Sequence, residues 1–186
     1  MIKNKIILSI LFCVGFLLSA NDGIATIPPL APPSSPTYLD FSFLRQDVVK
    51  FAKEWVGSRY RSGSRRPEVG FDCSGFTSFV MKKFNIKIAQ SSNAQINDGE
   101  AISLEMTRPG DLLFFGYRGH VHHVAMVVSN DENGIIIVHS TSSRGVVVEN
   151  VNESSYWTSK LICARNIIDG KAYDQLTPES PSDASN

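Results

Sequence analysis

The hydrophobic period of this chain changes once, at Pro109-Gly110-Asp111, and that change restricts the possible folds more than any other feature. Before it, Val48, Val49, Ala52, Trp55 and Val56 recur at i, i+1, i+4, i+7 and i+8, one apolar stripe of a helix that Gly57 ends. Phe76, Phe79, Val80 and Phe84 form a second helical stripe, and residues 91–99 suggest another short helix. Residues 58–71 carry turn formers and no period, so they read as a loop. After the turn, Leu112–Phe115, Val121–Ser129, Ile135–Thr141, Val146–Val151 and Leu161–Ile168 are β-branched and aromatic runs, with Asn133-Gly134, Arg144-Gly145 and Tyr156-Trp157 as separators. Such spacing predicts an α+β domain: N-terminal helices packed on a five-stranded antiparallel sheet.

These patterns occupy only part of the 186 residues. Lys3 and Lys5 precede an apolar run, Ile6 to Ala20, too short for a membrane span but fitting a signal peptide cut after Ala25. An uncleaved N-terminal anchor is the alternative. Five of the nine prolines fall between Pro28 and Pro36, so residues 26–39 read as a semi-rigid linker. Residues 40–168 make the folded domain, and 169–186 are polar enough to be expected disordered. Removing residues 1–25 takes away Lys3, Lys5 and Asp22 and turns a formal charge of zero into −1. So balanced a chain lacks the basic excess of a nucleic-acid binder, and none is expected as partner. Three cysteines, one of them in the leader, cannot build a disulfide scaffold.

Cys73 falls at the start of the second helix, where free N–H groups and the helix dipole favour a thiolate; the expectation is a lowered thiol pKa and a nucleophile. Gly75 would let the backbone pass close to a substrate. The plainer possibility is a small buried side chain, or half of a disulfide with Cys163. A nucleophilic thiol needs a base, and the base a partner that orients it. All four histidines, His120, His122, His123 and His139, lie on or beside the first strands after the helices. Alternation sends His122 and His123 to opposite faces, so one of them must point away from the cysteine. His139 lies on the next strand, and a chain Cys73 to His123 to His139 is thereby permitted, though not dictated. His120, His122 and His123 could also suit zinc, but no carboxylate or thiol lies at a familiar ligand spacing, and no metal or cofactor is expected.

Five segments together resemble a known family: Gly57-Ser58-Arg59-Tyr60-Arg61, Phe71-Asp72-Cys73-Ser74-Gly75-Phe76, Pro109-Gly110-Asp111-Leu112-Leu113-Phe114-Phe115, His123-Val124-Ala125-Met126-Val127 and Val138-His139. They are similar, in order and distance, to the NlpC/p60 family of papain-like cysteine peptidases, which cut bacterial cell-wall peptides. The stretches 141–147 and 153–157 are similar to single-domain Spr-type murein endopeptidases. The resemblance implies Cys73 as nucleophile, His123 as general base and then acid, and His139 as the orienting third residue. It also implies Tyr60, Asp72 and Ser74 as substrate-cleft residues, and an oxyanion site that includes the Cys73 N–H. Where the family usually continues after the tyrosine with an aromatic and a Gly-Gly pair, this chain has Arg61-Ser62-Gly63.

The function these residues imply is an exported, periplasmic or secreted endopeptidase, a monomer, acting on peptidoglycan stem or cross-link peptides without a cofactor. A non-catalytic wall-binding module, or an amidase or acyltransferase on the same fold, are the alternatives. Arg59, Arg61, Arg65 and Arg66 would then either attract substrate carboxylates or form an ordinary solvated loop.

Overall fold

The computed structural model describes residues 40–171; the leader, the proline-rich stretch and residues 172–186 lie outside the described residues. The first stripe forms α1, Ser42–Lys53, and buries Val48, Val49 and Ala52 together with Arg45. The helix stops four residues short of Gly57, which takes φ +90° after a turn. Residues 58–71 are not entirely loop: Arg65–Arg66 (β1) and Gly70–Phe71 (β2) pair as a two-stranded ribbon. Cys73–Lys83 is α2, which buries Phe76, Val80 and Met81. Of the short helix expected in residues 91–99, only Ser92–Gln95 (α3) forms.

The sheet has six strands where five were expected. Glu100–Ile102 (β3), Leu112–Tyr117 (β4), His120–Asp131 (β5), Gly134–Thr141 (β6), Gly145–Asn150 (β7) and Leu161–Asn166 (β8) run in the spatial order β3-β8-β4-β5-β6-β7. Each neighbouring pair is antiparallel. The extra strand, Glu-Ala-Ile, is too short to alternate visibly, and only its pairing with β8 makes it a strand. Tyr156-Trp157, read as a separator, sits in the short helix α4, Ser155–Thr158.

Strand alternation divides the sheet into two apolar layers. Leu112, Phe114, Val124, Met126 and Val138 face α1 and α2, and with Phe76, Val80 and Ile167 they form the larger core. Leu113, Phe115, Ala125, Val127, Ile135 and Ile137 face the other way, where Trp157 and Leu161 cover them. Burying a side chain such as Phe76 or Phe114 completely contributes about 2 kcal/mol. Phe51, Trp55, Phe71 and Phe79 close the gap between α1 and α2 as tilted and edge-to-face rings, with centroids 5.0 to 6.1 Å apart.

Two devices attach the ends to this frame. Arg45 reaches from α1 to Asp111 at 2.7 Å, to the Pro109 carbonyl at 2.8 Å and to Asp169 at 2.8 Å, so the contacts of the domain run to Asp169. At the other edge, Val146 N–H donates to the Ser58 carbonyl at 2.8 Å. Gly145, at φ +68°, permits that approach: a Cβ there would lie 2.1 Å from the same carbonyl oxygen.

Candidate active site

Asp72 takes extended backbone and caps α2, accepting the Gly75 N–H on Oδ1 at 2.6 Å. Its Oδ2 accepts the Gly63 N–H at 2.7 Å, and the Ser74 hydroxyl donates to Oδ1 at 3.2 Å. Both carboxylate oxygens thereby fasten the loop to the helix that Cys73 begins. Gly75 makes room for that loop rather than for a substrate, since a Cβ on it would meet the Ser64 carbonyl oxygen at 2.1 Å. Behind the helix, buried Gln95 donates to the carbonyls of Ser74 and Ala89 at 3.1 and 2.8 Å and accepts from Thr77 at 2.9 Å.

Cys73 is half-buried, and the backbone N–H groups of Val124, Ser74 and Cys73 itself act to favour its thiolate. The helix start was expected to lower the thiol pKa; in the folded protein it is raised. Burial is the largest cause, the Asp72 carboxylate adds to it, and the three N–H groups only partly offset them.

His123 shares its strand parity with Ala125 and Val127, the face turned away from the helices. On an unbroken sheet that would keep it from Cys73. But β5 and β6 pair only from Met126 and Val138 onward, and Ser140 and Thr141 pair with β7 instead. The strands part at His123, and a cleft of about 630 Å³ opens there, lined by Tyr60, Cys73, His122, His123 and Trp157 among others. Among the described residues no hydrogen bond links the Cys73 sulfur to His123 directly.

Behind His123 runs a chain of polar contacts. His123 Nε2 lies 2.7 Å from His139 Nδ1, and His139 Nε2 lies 2.6 Å from Glu149 Oε1. Trp157 Nε1–H donates to the same Oε1 at 2.8 Å, and Arg144 donates to Oε2 at 2.6 Å. The indole also stacks on His123, centroids 4.7 Å apart at 25°, and meets His139 edge-on at 5.0 Å. Burial, with the neighbouring His139, pushes the His123 pKa down to about 3 against the pull of Glu149. Burial also lowers that of fully buried His139, again against Glu149. At Glu149 burial works upward, but hydrogen bonds from Arg144, Trp157 and His139 win and hold the carboxyl below its ordinary value.

The structure thus brings Tyr60, Cys73 and His123 to one cleft and sets His139 one layer behind. Asp72 and Ser74 are not on the cleft wall; they hold the helix start in place. His122 lines the cleft but is exposed, with the exposed His120 ring 6.4 Å away. Among the described residues no three His, Cys, Asp or Glu side chains gather as a metal site. The four arginines stay off the cleft wall, Arg59 donating to the Val69 and Glu68 carbonyls and pairing loop with loop. Cys73 and Cys163 are both free thiols, and both are half-buried.

Sequence reasoning missed Glu149 and Trp157. A usable signal existed for the first: Glu149 is the one charged residue in the apolar run 146–151, on the strand that follows His139 through a tight turn. In the hairpin it faces Ile137, two residues from His139 and on the same side. Trp157 carried no such signal, because its position depends on how α4 folds back over the sheet.

The model of the NlpC/P60 family matches residues 57–166. The chain is 36% identical over 138 residues to gamma-DL-glutamyl hydrolase of Bacillus subtilis (strain 168), covering 72% of this chain and 32% of that protein. It is 31% identical over 116 residues to murein DD-endopeptidase MepS/murein LD-carboxypeptidase of Escherichia coli (strain K12), covering 62% of this chain and 58% of that one. Among solved structures, an NlpC/P60 family protein from Bacillus cereus ATCC 10987 superposes with a TM-score of 0.60 at 31% identity, over 66% of this chain and 39% of that chain. The NlpC/p60 domain of peptidoglycan hydrolase SagA does so at 0.55 and 29%, over 64% of this chain and 96% of that one. The chain spans 32% and 58% of the lengths of the two enzymes it resembles in sequence. A match to one model through most of the folded residues, with both sequence and fold in agreement, places this chain in the NlpC/P60 family.

Proposed function

We propose that this protein is an exported cysteine peptidase that hydrolyses amide bonds in the peptides of peptidoglycan. The observation that supports it most is the placing of a helix-start thiol, Cys73, in one cleft with His123, whose far nitrogen is bonded to His139. The names of its relatives, a glutamyl hydrolase and a murein endopeptidase, supply the substrate class. Tyr60, on the cleft wall, is the residue that touches substrate, while Asp72 and Ser74 serve it by holding the loop against α2. Within the described residues no helix is long and apolar enough to cross a membrane. Export is carried by the leader, and the protein acts as a monomer on the cell wall.

The resting pair is a neutral thiol and a neutral imidazole, because burial disfavours charge on both. As the sulfur attacks the scissile carbonyl carbon, its proton passes to Nδ1 of His123, and the carbonyl oxygen takes the negative charge. The Cys73 N–H and the positive end of the α2 dipole stabilise that charge. The tetrahedral intermediate collapses, the C–N bond breaks, and His123 returns the proton to the leaving amine, leaving a thioester on Cys73. Water, deprotonated by His123, then hydrolyses the thioester and restores the thiol.

The test is mass spectrometry of products from defined muropeptides with parent and Cys73→Ala proteins. The parent should release fragments differing by one hydrolysed amide bond, and the variant none. Equal release by both would overturn the mechanism. Persistence of activity in iodoacetamide together with its loss to a chelator would overturn the thiol chemistry.

A further inference from the structure

We propose that Glu149 is a positioning residue for this reaction, acting through His139 to decide which nitrogen of His123 is left to take the Cys73 proton. The inference rests on the peptidase reading above and extends it by one residue that acts on the histidines rather than on the sulfur.

The argument is one of donors and acceptors. An ionised carboxylate only accepts hydrogen bonds. With Glu149 Oε1 2.6 Å from Nε2 of His139, that nitrogen must carry the proton. Neutral His139 then has its lone pair on Nδ1, which faces His123 Nε2 at 2.7 Å. So His123 must donate from Nε2, and its own lone pair is confined to Nδ1, the remaining nitrogen and the one available to the thiol. Were His139 to hold its proton on Nδ1 instead, it would donate to His123 Nε2. His123 would then carry its proton on Nδ1, presenting a donor where the thiol requires a base.

Two further contacts keep this polarity from reversing. Trp157 donates to the oxygen that His139 uses, and Arg144 to the other, so the carboxylate is held at both ends. The same indole lies flat on the His123 ring at 4.7 Å, which opposes a ring flip that would exchange the two nitrogens. Glu149 projects from β7 and also borders the cleft, while its bond to His139 and the His123–His139 bond carry its effect to the nitrogen that meets the thiol.

The experiment has two arms. Nitrogen-15 spectra of the imidazoles in Cys73→Ala protein read the tautomers without turnover. Protons on Nε2 of both His123 and His139 are expected, and a proton on Nδ1 of His139 would overturn the proposal. In the kinetic arm, Glu149→Ala should lower kcat about 100-fold with KM within about threefold, whereas Glu149→Gln, which keeps an oxygen for His139 and Trp157, should stay within about tenfold of the parent. A Glu149→Ala protein with parental kcat would overturn it. If that variant does not fold, the spectra of the Cys73→Ala protein still decide. Activity surviving in Cys73→Ala would instead remove the peptidase reading and leave the tautomer measurement standing.

Discussion

His123 and His139 are joined ring to ring at 2.7 Å from two strands that have already stopped pairing. The last cleft-side pair of the β5–β6 ladder is Met126 with Val138, and beyond it the backbones separate. The imidazole contact spans the opening that the ladder leaves. It lets a residue on the far face of the sheet share a cleft with a cysteine on the helix side.

The buried histidines make stability fall with acid well before the carboxylates titrate. Unfolded, each has an ordinary pKa of 6.5; in the native protein His123 is held near 3 and His139 is also lowered. As pH drops through 6.5 the unfolded chain binds protons that the native state refuses. Stability is therefore full above 6.5 and declines until the native pKa is reached. Glu149 and Asp169 have depressed values, so they add their own loss only as pH falls below their ordinary 4.5 and 3.8. Urea midpoints should stay nearly level from pH 7.5 to about 6.5 and then fall to pH 4.5 for the parent, and fall less steeply for His123→Gln. Parallel slopes would contradict the cause given.

Because its thiol pKa is raised, Cys73 should be slow to alkylate at neutral pH in the absence of substrate. In a Cys163→Ala background, which removes the other free thiol among the described residues, the iodoacetamide rate should keep climbing beyond the ordinary thiol range. A rate already level between pH 6 and 8 would show a standing thiolate instead.

Arg45 is 3% exposed and Asp111 fully buried, so removing the guanidinium strands a charge. Arg45→Ala should cost about 3–5 kcal/mol in denaturant unfolding. The double variant Arg45→Met/Asp111→Asn should regain much of that. It removes the stranded charge and keeps an oxygen for the Arg108 N–H that Asp111 now accepts at 2.8 Å. A double variant no better than Arg45→Ala would count against the desolvation account.

Gly75→Ala places a methyl group 2.1 Å from the Ser64 carbonyl oxygen, against backbone that cannot swing aside like a side chain. A loss of about 3 kcal/mol is expected, as for overpacking elsewhere. Thermal unfolding measures it, and an unchanged midpoint would mean that the loop yields without cost.

The chemistry of the site was legible in local signals. The stripe Phe76, Phe79, Val80 and Phe84 announces a helix with Cys73 at its start, and the histidines stand on or beside strands that alternation identifies. The third strand in the chain, β3, was not legible, because three residues hold no period. Nor were the roles of Asp72 and Gly75, since both depend on a loop from earlier in the chain lying against α2.

The sequence by itself determined where helices give way to strands and, through motifs in order along the chain, the family; spacing permitted the set Cys73, His123 and His139 without dictating it. The tertiary structure alone decided that β5 and β6 part at the cleft, that burial outweighs the helix start at the Cys73 thiol, and that Glu149 and Trp157 meet the two histidines. The reason is physical. Desolvation and hydrogen-bond polarity depend on everything packed around a group, and those neighbours come from distant parts of the chain.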